Sequence, residues 1–127
     1  MSGKKILLAD DDKVTLETLG AQLRTQGFQV VTAMDAMQAF MIAQRELPDV
    51  VLLDIQMPGG TGLEALKRLA KSTKTQNIPV IVISMFTDPR RQQEVLALGA
   101  RALFPKPVDF TKLRQSLADL LDTDPKR

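Results

Sequence analysis

Three consecutive aspartates, Asp10-Asp11-Asp12, follow the apolar run Ile6-Leu7-Leu8-Ala9, and a fourth, Asp54, follows Val50-Val51-Leu52-Leu53. Ser84 closes a third run, Val80-Ile81-Val82-Ile83, and Lys106 comes just after a weaker one, Ala102 to Phe104. The chain has no cysteine and no histidine, which excludes a thiolate nucleophile, a disulfide framework and any imidazole base, ligand or phosphocarrier. Carboxylates, a hydroxyl and an ammonium remain. Carboxylates gathered in one place repel, so one must keep a proton or a cation must neutralise them. Mg²⁺ suits that task, because it takes hard oxygen ligands from one or two carboxylates together with water and phosphoryl oxygens. A carboxylate also serves as a nucleophile in covalent aspartyl-phosphate chemistry.

The elements that must position these groups alternate along the chain. Short apolar runs without polar alternation indicate strands buried on both faces, the pattern of a parallel sheet. Two weaker strands are expected at Phe28 to Thr32 and Ala102 to Phe104. Helical stripes separate them: Leu16, Leu19, Gly20 and Leu23; Ala36, Ala39, Phe40 and Ala43; Leu63, Leu66 and Ala70; Arg90 to Leu98; and Phe110, Leu113, Leu117, Leu120 and Leu121. Asp12 and Asp35 are expected helix caps, and Gly27 and Gly99 follow helix ends. Five β–α units predict an α/β fold, a doubly wound (βα)5 five-stranded parallel sheet with the flavodoxin-like strand order 2-1-3-4-5. In that order the first, third and fourth strands are central neighbours and the fifth adjoins them, with Pro105 tolerated at the sheet edge. Asp10, Asp11, Asp54, Ser84 and Lys106 should then meet at the carboxyl ends of the strands.

The 127 residues fit one domain, expected over 1–127 with a short polar tail from Asp122 to Arg127. Lys and Arg number 17 against 15 Asp and Glu, and aromatic residues are 4% with no Trp or Tyr. That is neither the dense basic stripe nor the stacking platform of a nucleic-acid binder. The local group Lys67, Arg68, Lys71 and Lys74 reads as a solvated helix face. No run approaches the ~18–20 apolar residues of a membrane span, and a soluble cytoplasmic protein without direct nucleic-acid or membrane binding is expected.

Taken together, Ile6-Leu7-Leu8-Ala9-Asp10-Asp11-Asp12, Asp54-Ile55-Gln56-Met57-Pro58 with Gly62, Val80-Ile81-Val82-Ile83-Ser84, Gly99-Ala100 and Lys106-Pro107 resemble the receiver domain of bacterial response regulators. The resemblance covers essentially the whole chain. It implies that Asp54 is the phosphoacceptor. Asp10, Asp11, Asp54 and the backbone carbonyl of Gln56 would hold Mg²⁺ (or Mn²⁺). Ser84, Lys106 and the Met85 backbone would bind the phosphoryl group, and the Lys106–Pro107 bond would be cis. The implied function is a phosphorylation-dependent switch rather than a turnover enzyme. Its donor would be a sensor histidine kinase or a histidine phosphotransfer protein. Its output would be an effector protein or domain, or self-association, through the fourth helix, fifth strand and fifth helix. The alternative is a pseudo-receiver that binds partners without phosphorylation.

Several positions depart from the family pattern or qualify it. Leu103 stands where the family carries an inward-swinging aromatic residue, with Phe104 beside it. Met85 stands where a small residue is usual, narrowing access to Asp54. Gln56 and Phe86 are expected over the path of an attacking water, where an amide is a poor base and a packed phenyl ring excludes water, prolonging the phosphorylated state.

Overall fold

The computed structural model describes residues 3–57 and 62–121 of the chain; Pro58 of the motif and the tail from Asp122 onward lie outside them. The elements run β1 (Lys5–Ala9), α1 (Lys13–Thr25), β2 (Gln29–Ala33), α2 (Ala36–Glu46), β3 (Val50–Asp54), α3 (Gly62–Lys71), β4 (Val80–Ser84), α4 (Pro89–Ala97), β5 (Ala102–Pro105) and α5 (Phe110–Leu121). The five strands form one parallel sheet in the order β2-β1-β3-β4-β5, as the alternating pattern predicts. Sequence boundaries shift by a residue or so: β2 begins at Gln29 rather than Phe28, and β5 takes in Pro105 at the sheet edge.

Side-chain alternation along each strand divides the core in two. Leu7, Ala9, Val51, Leu53, Val80 and Val82 face α2, α3 and α4, packing with Ala39, Ala43, Ala65, Leu66, Leu69 and Val95. Ile6, Leu8, Val50, Leu52 and Ile81 face the other way, toward Leu19 and Leu23 of α1 and Leu113 and Leu117 of α5. The α3 stripe differs from the expected one. Ala65, Leu66 and Leu69 are buried with Gly62, whereas Leu63 is half-buried and Ala70 exposed. Leu66 lies on the apolar face as expected, Leu63 packs at its edge and Ala70 falls outside it. The basic group on α3 is tied down locally, with Arg68 over the Phe40 ring at 5.7 Å and Lys67 3.7 Å from Glu64.

The caps follow the sequence. Asp12 accepts from the Val14 amide at 3.0 Å and the Thr15 hydroxyl at 3.0 Å, and Asp35 accepts from the Gln38 amide at 2.8 Å. Gly27 and Gly99 have positive φ, 95° and 107°, where a side chain would be strained.

Gly62 is required for a different reason. Its amide donates to the Ile55 carbonyl at 3.0 Å, so the start of α3 lies against the end of β3. A β-carbon there would overlap the Ile55 backbone and come within 2.6 Å of the Asp54 carbonyl oxygen. Gly20, inside α1, would meet only the flexible Arg24 side chain, at 3.4 Å. Gly20→Ala is therefore expected to be neutral or to stabilise by up to ~1 kcal/mol through helix propensity. Gly62→Ala should cost about 2 kcal/mol or more by overpacking against backbone. Urea denaturation of the two variants checks this, and equal effects would refute the close-approach account.

Candidate functional site

The register of the sheet assembles the site. Ala9 lies level with Leu53, Asp54 with Ile83, and Ser84 with Pro105, so the residues that end β1, β3, β4 and β5 emerge at one rim. Neighbouring strands are ~4.8 Å apart, which brings Asp10 beside Asp54 without any long side-chain reach. The Lys106 amide donates to the Ser84 carbonyl at 3.0 Å, extending the β4–β5 ladder by one residue and fixing where the lysine starts. The Lys106–Pro107 peptide is cis.

Lys106 turns its ammonium into the acidic group. Nζ lies 2.6 Å from Asp10 Oδ2 and donates to Asp54 Oδ2 at 3.1 Å. Asp54 is only 2% exposed, and its other oxygen accepts from the Gln56 amide at 2.9 Å. Asp10 is fully buried, with Oδ1 accepting from the Asp12 amide at 2.9 Å. Its contact with Lys106 is a close ion pair off the hydrogen-bonding direction, so Asp10 Oδ2 is buried without a hydrogen bond. Asp11 is exposed at the rim.

The electrostatics follow from three carboxylates facing one ammonium. Burial raises the Asp10 carboxyl pKa; the contact with Lys106 and the Asp12 amide oppose that rise, and the charge of Asp54 adds to it. Burial works against the Lys106 charge, but the close contact with Asp10, the hydrogen bond to Asp54 and the negative charge of both outweigh it and raise the lysine pKa. Asp12 belongs to another circuit, its carboxyl held low by the Thr15 hydroxyl and the Val14 amide.

A divalent cation fits this arrangement. One oxygen from each of Asp10, Asp11 and Asp54 lies within 4.8 Å of the others, the donor set is all oxygen, and three carboxylates beside one ammonium leave negative charge for a hard cation to offset.

A cleft of about 610 Å³ opens onto this cluster, lined by Asp11, Asp54, Gln56, Met85, Lys106 and Pro107, and continues along α1 past Val14, Thr18 and Gln22 to Val108. The α1 wall went unread in the sequence. Val14, Thr18 and Gln22 recur every four residues on a face that flanks the Leu19–Leu23 stripe, with Leu19 itself at the cleft, and an exposed valine was the available signal. Ser84 is buried beside the cleft, its Oγ accepting from the Phe86 amide at 3.0 Å. Phe86 is 54% exposed and is not among the residues lining the cleft. The ring expected to shield the site is thus largely at the surface, while Met85 lines the rim. Leu103 packs on the α2–α3–α4 side of the sheet and Phe104 on the α1–α5 side. Adjacent strand residues point to opposite faces, so Phe104 cannot take the place of an aromatic at 103.

A model of the response regulator receiver domain matches residues 6–118. The chain belongs to this family. Sporulation initiation phosphotransferase F of Bacillus subtilis (strain 168) is 35% identical over 121 residues, covering 95% of this chain and 96% of that protein. Protein PilH of Pseudomonas aeruginosa is 35% identical over 117 residues, covering 92% and 97%. Other relatives are much longer: at 35% identity over 109 residues, the chain spans 17% of the length of Protein RcaC from Microchaete diplosiphon and 24% of response regulator PleD from Caulobacter vibrioides. Among solved structures, Vibrio cholerae chemotaxis protein CheY4 superposes with TM-score 0.87 at 28% identity, covering 94% of this chain and 99% of that one. A chain of the CheX-CheY-BeF3-Mg²⁺ complex from Borrelia burgdorferi gives TM-score 0.88 at 27% identity, covering 94% and 90%. The receiver fold and its acidic pocket are thus present, and no helix among the described residues is long and apolar enough to cross a membrane.

The raised Asp10 pKa has a measurable consequence. Folding favours the protonated carboxyl, so the associated stabilisation is complete below the ordinary value of ~3.9 and is lost as pH rises through the raised value. The Lys106 contribution does not change in that range, since it disappears only when pH climbs through the raised lysine value. Metal-free wild type should therefore lose stability relative to Asp10→Asn as pH rises above the ordinary carboxyl value of about 4. Denaturation of both proteins across that range tests it; a gap independent of pH would contradict the assignment.

Proposed function

We propose that this receiver domain is switched by phosphorylation of Asp54. The observation that carries the reading is the Asp54 carboxylate itself: buried at the end of a central strand, facing the cleft, and oriented by the Gln56 amide on one oxygen and Lys106 on the other. The donor would be a phosphohistidine on a sensor histidine kinase or a histidine phosphotransfer protein, since this chain has no histidine of its own. An Asp54 oxygen attacks phosphorus, the P–N bond breaks, and its electron pair returns to the donor imidazole. Here the protein's work is to place groups in line and neutralise oxygens.

Asp10, Asp11, Asp54 and the Gln56 carbonyl would hold Mg²⁺ (or Mn²⁺), which when bound offsets negative charge on the transferring phosphoryl oxygens. Lys106 is the fixed cation beside Asp54 and would take one phosphoryl oxygen. The Ser84 hydroxyl and the Met85 backbone amide would take others. Recruiting Ser84 alters the turn that its Oγ holds with the Phe86 amide, and with it the loop of residues 85–88 that leads into α4. The changed surface would be α4–β5–α5, read by an effector protein or domain or by a second copy. Leu103 is too small to carry the signal by an aromatic swing, so the route runs through Ser84 and its loop. The chain would act as a cytoplasmic signalling domain that assists its own phosphorylation rather than as a turnover enzyme.

With Mg²⁺ and phosphoramidate, intact-mass measurement should show one added phosphoryl group on wild type and none on Asp54→Asn; equal labelling of both would remove the assignment. Mg²⁺ at about 100 times its Kd should stabilise wild type by ~2.7 kcal/mol. Asp11→Ala, which removes an exposed ligand, should abolish most of that gain. Titration followed by thermal denaturation reads it out, and an undiminished gain would place the metal elsewhere.

A further inference from the structure

Met85 lies directly after Ser84 and lines the cleft with Asp54 and Lys106, yet it is 71% exposed. Met34, Met37 and Met41 are also exposed, but on and before α2, away from the residues that line the cleft; Met57 is buried. Met85 therefore combines two properties that no other described methionine has: a thioether open to solvent, and a place in the wall through which a phosphodonor must reach Asp54.

We propose that Met85 is an oxidation site whose sulfoxide closes the cleft to phosphodonors. The proposal rests on Asp54 being the phosphoacceptor. Hydrogen peroxide is small and uncharged, so the surrounding carboxylates do not repel it as they would an anionic oxidant. The thioether sulfur attacks one peroxide oxygen, the O–O bond breaks, an S–O bond forms, and the other oxygen leaves as water after a proton shift. Exposure governs the susceptibility of methionine to this reaction, and enzymatic reduction reverses it.

The product changes the rim in two ways. A thioether is a weak acceptor that makes no claim on Lys106, whereas a sulfoxide oxygen is a strong one. Lys106 Nζ, already shared between Asp10 and Asp54, is the ammonium in the wall of the cleft. A sulfoxide at the same wall competes for its remaining N–H and adds partial negative charge where an anionic donor enters. The side chain of Met85 is long, unbranched and largely exposed, so the new oxygen has the torsional freedom to turn inward. Its backbone is held by the Ser84–Phe86 hydrogen bond at 3.0 Å, which keeps the residue at the rim.

The test measures labelling by phosphoramidate with Mg²⁺ after graded hydrogen peroxide treatment, with peptide mapping of each methionine. Every protein is compared with its own untreated sample. Wild-type labelling should slow in step with Met85 oxidation, by about fivefold at full conversion, equivalent to ~1 kcal/mol of barrier. Methionine sulfoxide reductase should restore it. Met85→Leu should keep its own untreated rate after the same exposure, although Met34, Met37 and Met41 are oxidised in it. Met85→Gln, which places a polar acceptor at the rim without peroxide, should label more slowly than Met85→Leu. Full labelling of wild type with Met85 oxidised, or an equal loss in Met85→Leu, would overturn the proposal while leaving the phosphoacceptor in place. Failure of untreated wild type to label would remove both.

Discussion

Everything at the rim depends on the ends of parallel strands being level. Register alone puts Asp10 beside Asp54 and Ser84 beside Pro105, and the one further residue to Lys106 is what lets its ammonium reach back to both carboxylates. That ammonium leaves the cluster underneutralised, with three carboxylates against one cation. The imbalance is useful. A fully neutral pocket would have no electrostatic reason to take up a divalent cation, and a pocket without Lys106 would bury Asp10 at a cost that folding could not easily offset. The site is poised between these limits, with Lys106 already close to both buried carboxylates and Asp11 still open in the cleft.

The two faces of β5 divide the consequences of that site. Leu103 belongs to the layer with α2, α3 and α4, and Phe104 to the layer with α1 and α5. Ser84 is tied by its hydroxyl to the loop before α4, whereas the side chains of β5 are divided between the two layers. Phe86, half-exposed at the start of that loop, lies on the outside of the turn that Ser84 holds.

Much of this was legible from residue types. Apolar runs without alternation gave the parallel sheet, and the polar residue closing each run gave the rim. What could not be read were facts set by direction rather than identity. Phe86 is large and two residues from Ser84, the spacing a shield needs, but size and spacing do not say where its ring lies, and it is half-exposed and outside the cleft lining. The α1 wall escaped because Val14, Thr18 and Gln22 carry no chemistry of their own; only the opposing β5–α5 segment at Pro107 and Val108 turns that helix face into part of a cleft. On α3 the expected stripe holds at Leu66 and, at its edge, Leu63, but Ala70 fits a helical spacing as well as Leu69 does and is exposed.

The run Asp10-Asp11-Asp12 contains three identical residues with three separate addresses. Asp10 points into the sheet's end beside Lys106, Asp11 stays in the open cleft, and Asp12 is consumed as the cap of α1. Identity in composition thus hides a positional code. Losing any one aspartate from the run would spell the same shortened sequence, yet the chain would have to choose which address to leave empty. Retaining the cap preserves the helix and costs the cation; retaining the inward carboxylate preserves the charge and frays the helix. A stretch that looks redundant in one dimension has no spare letter in three.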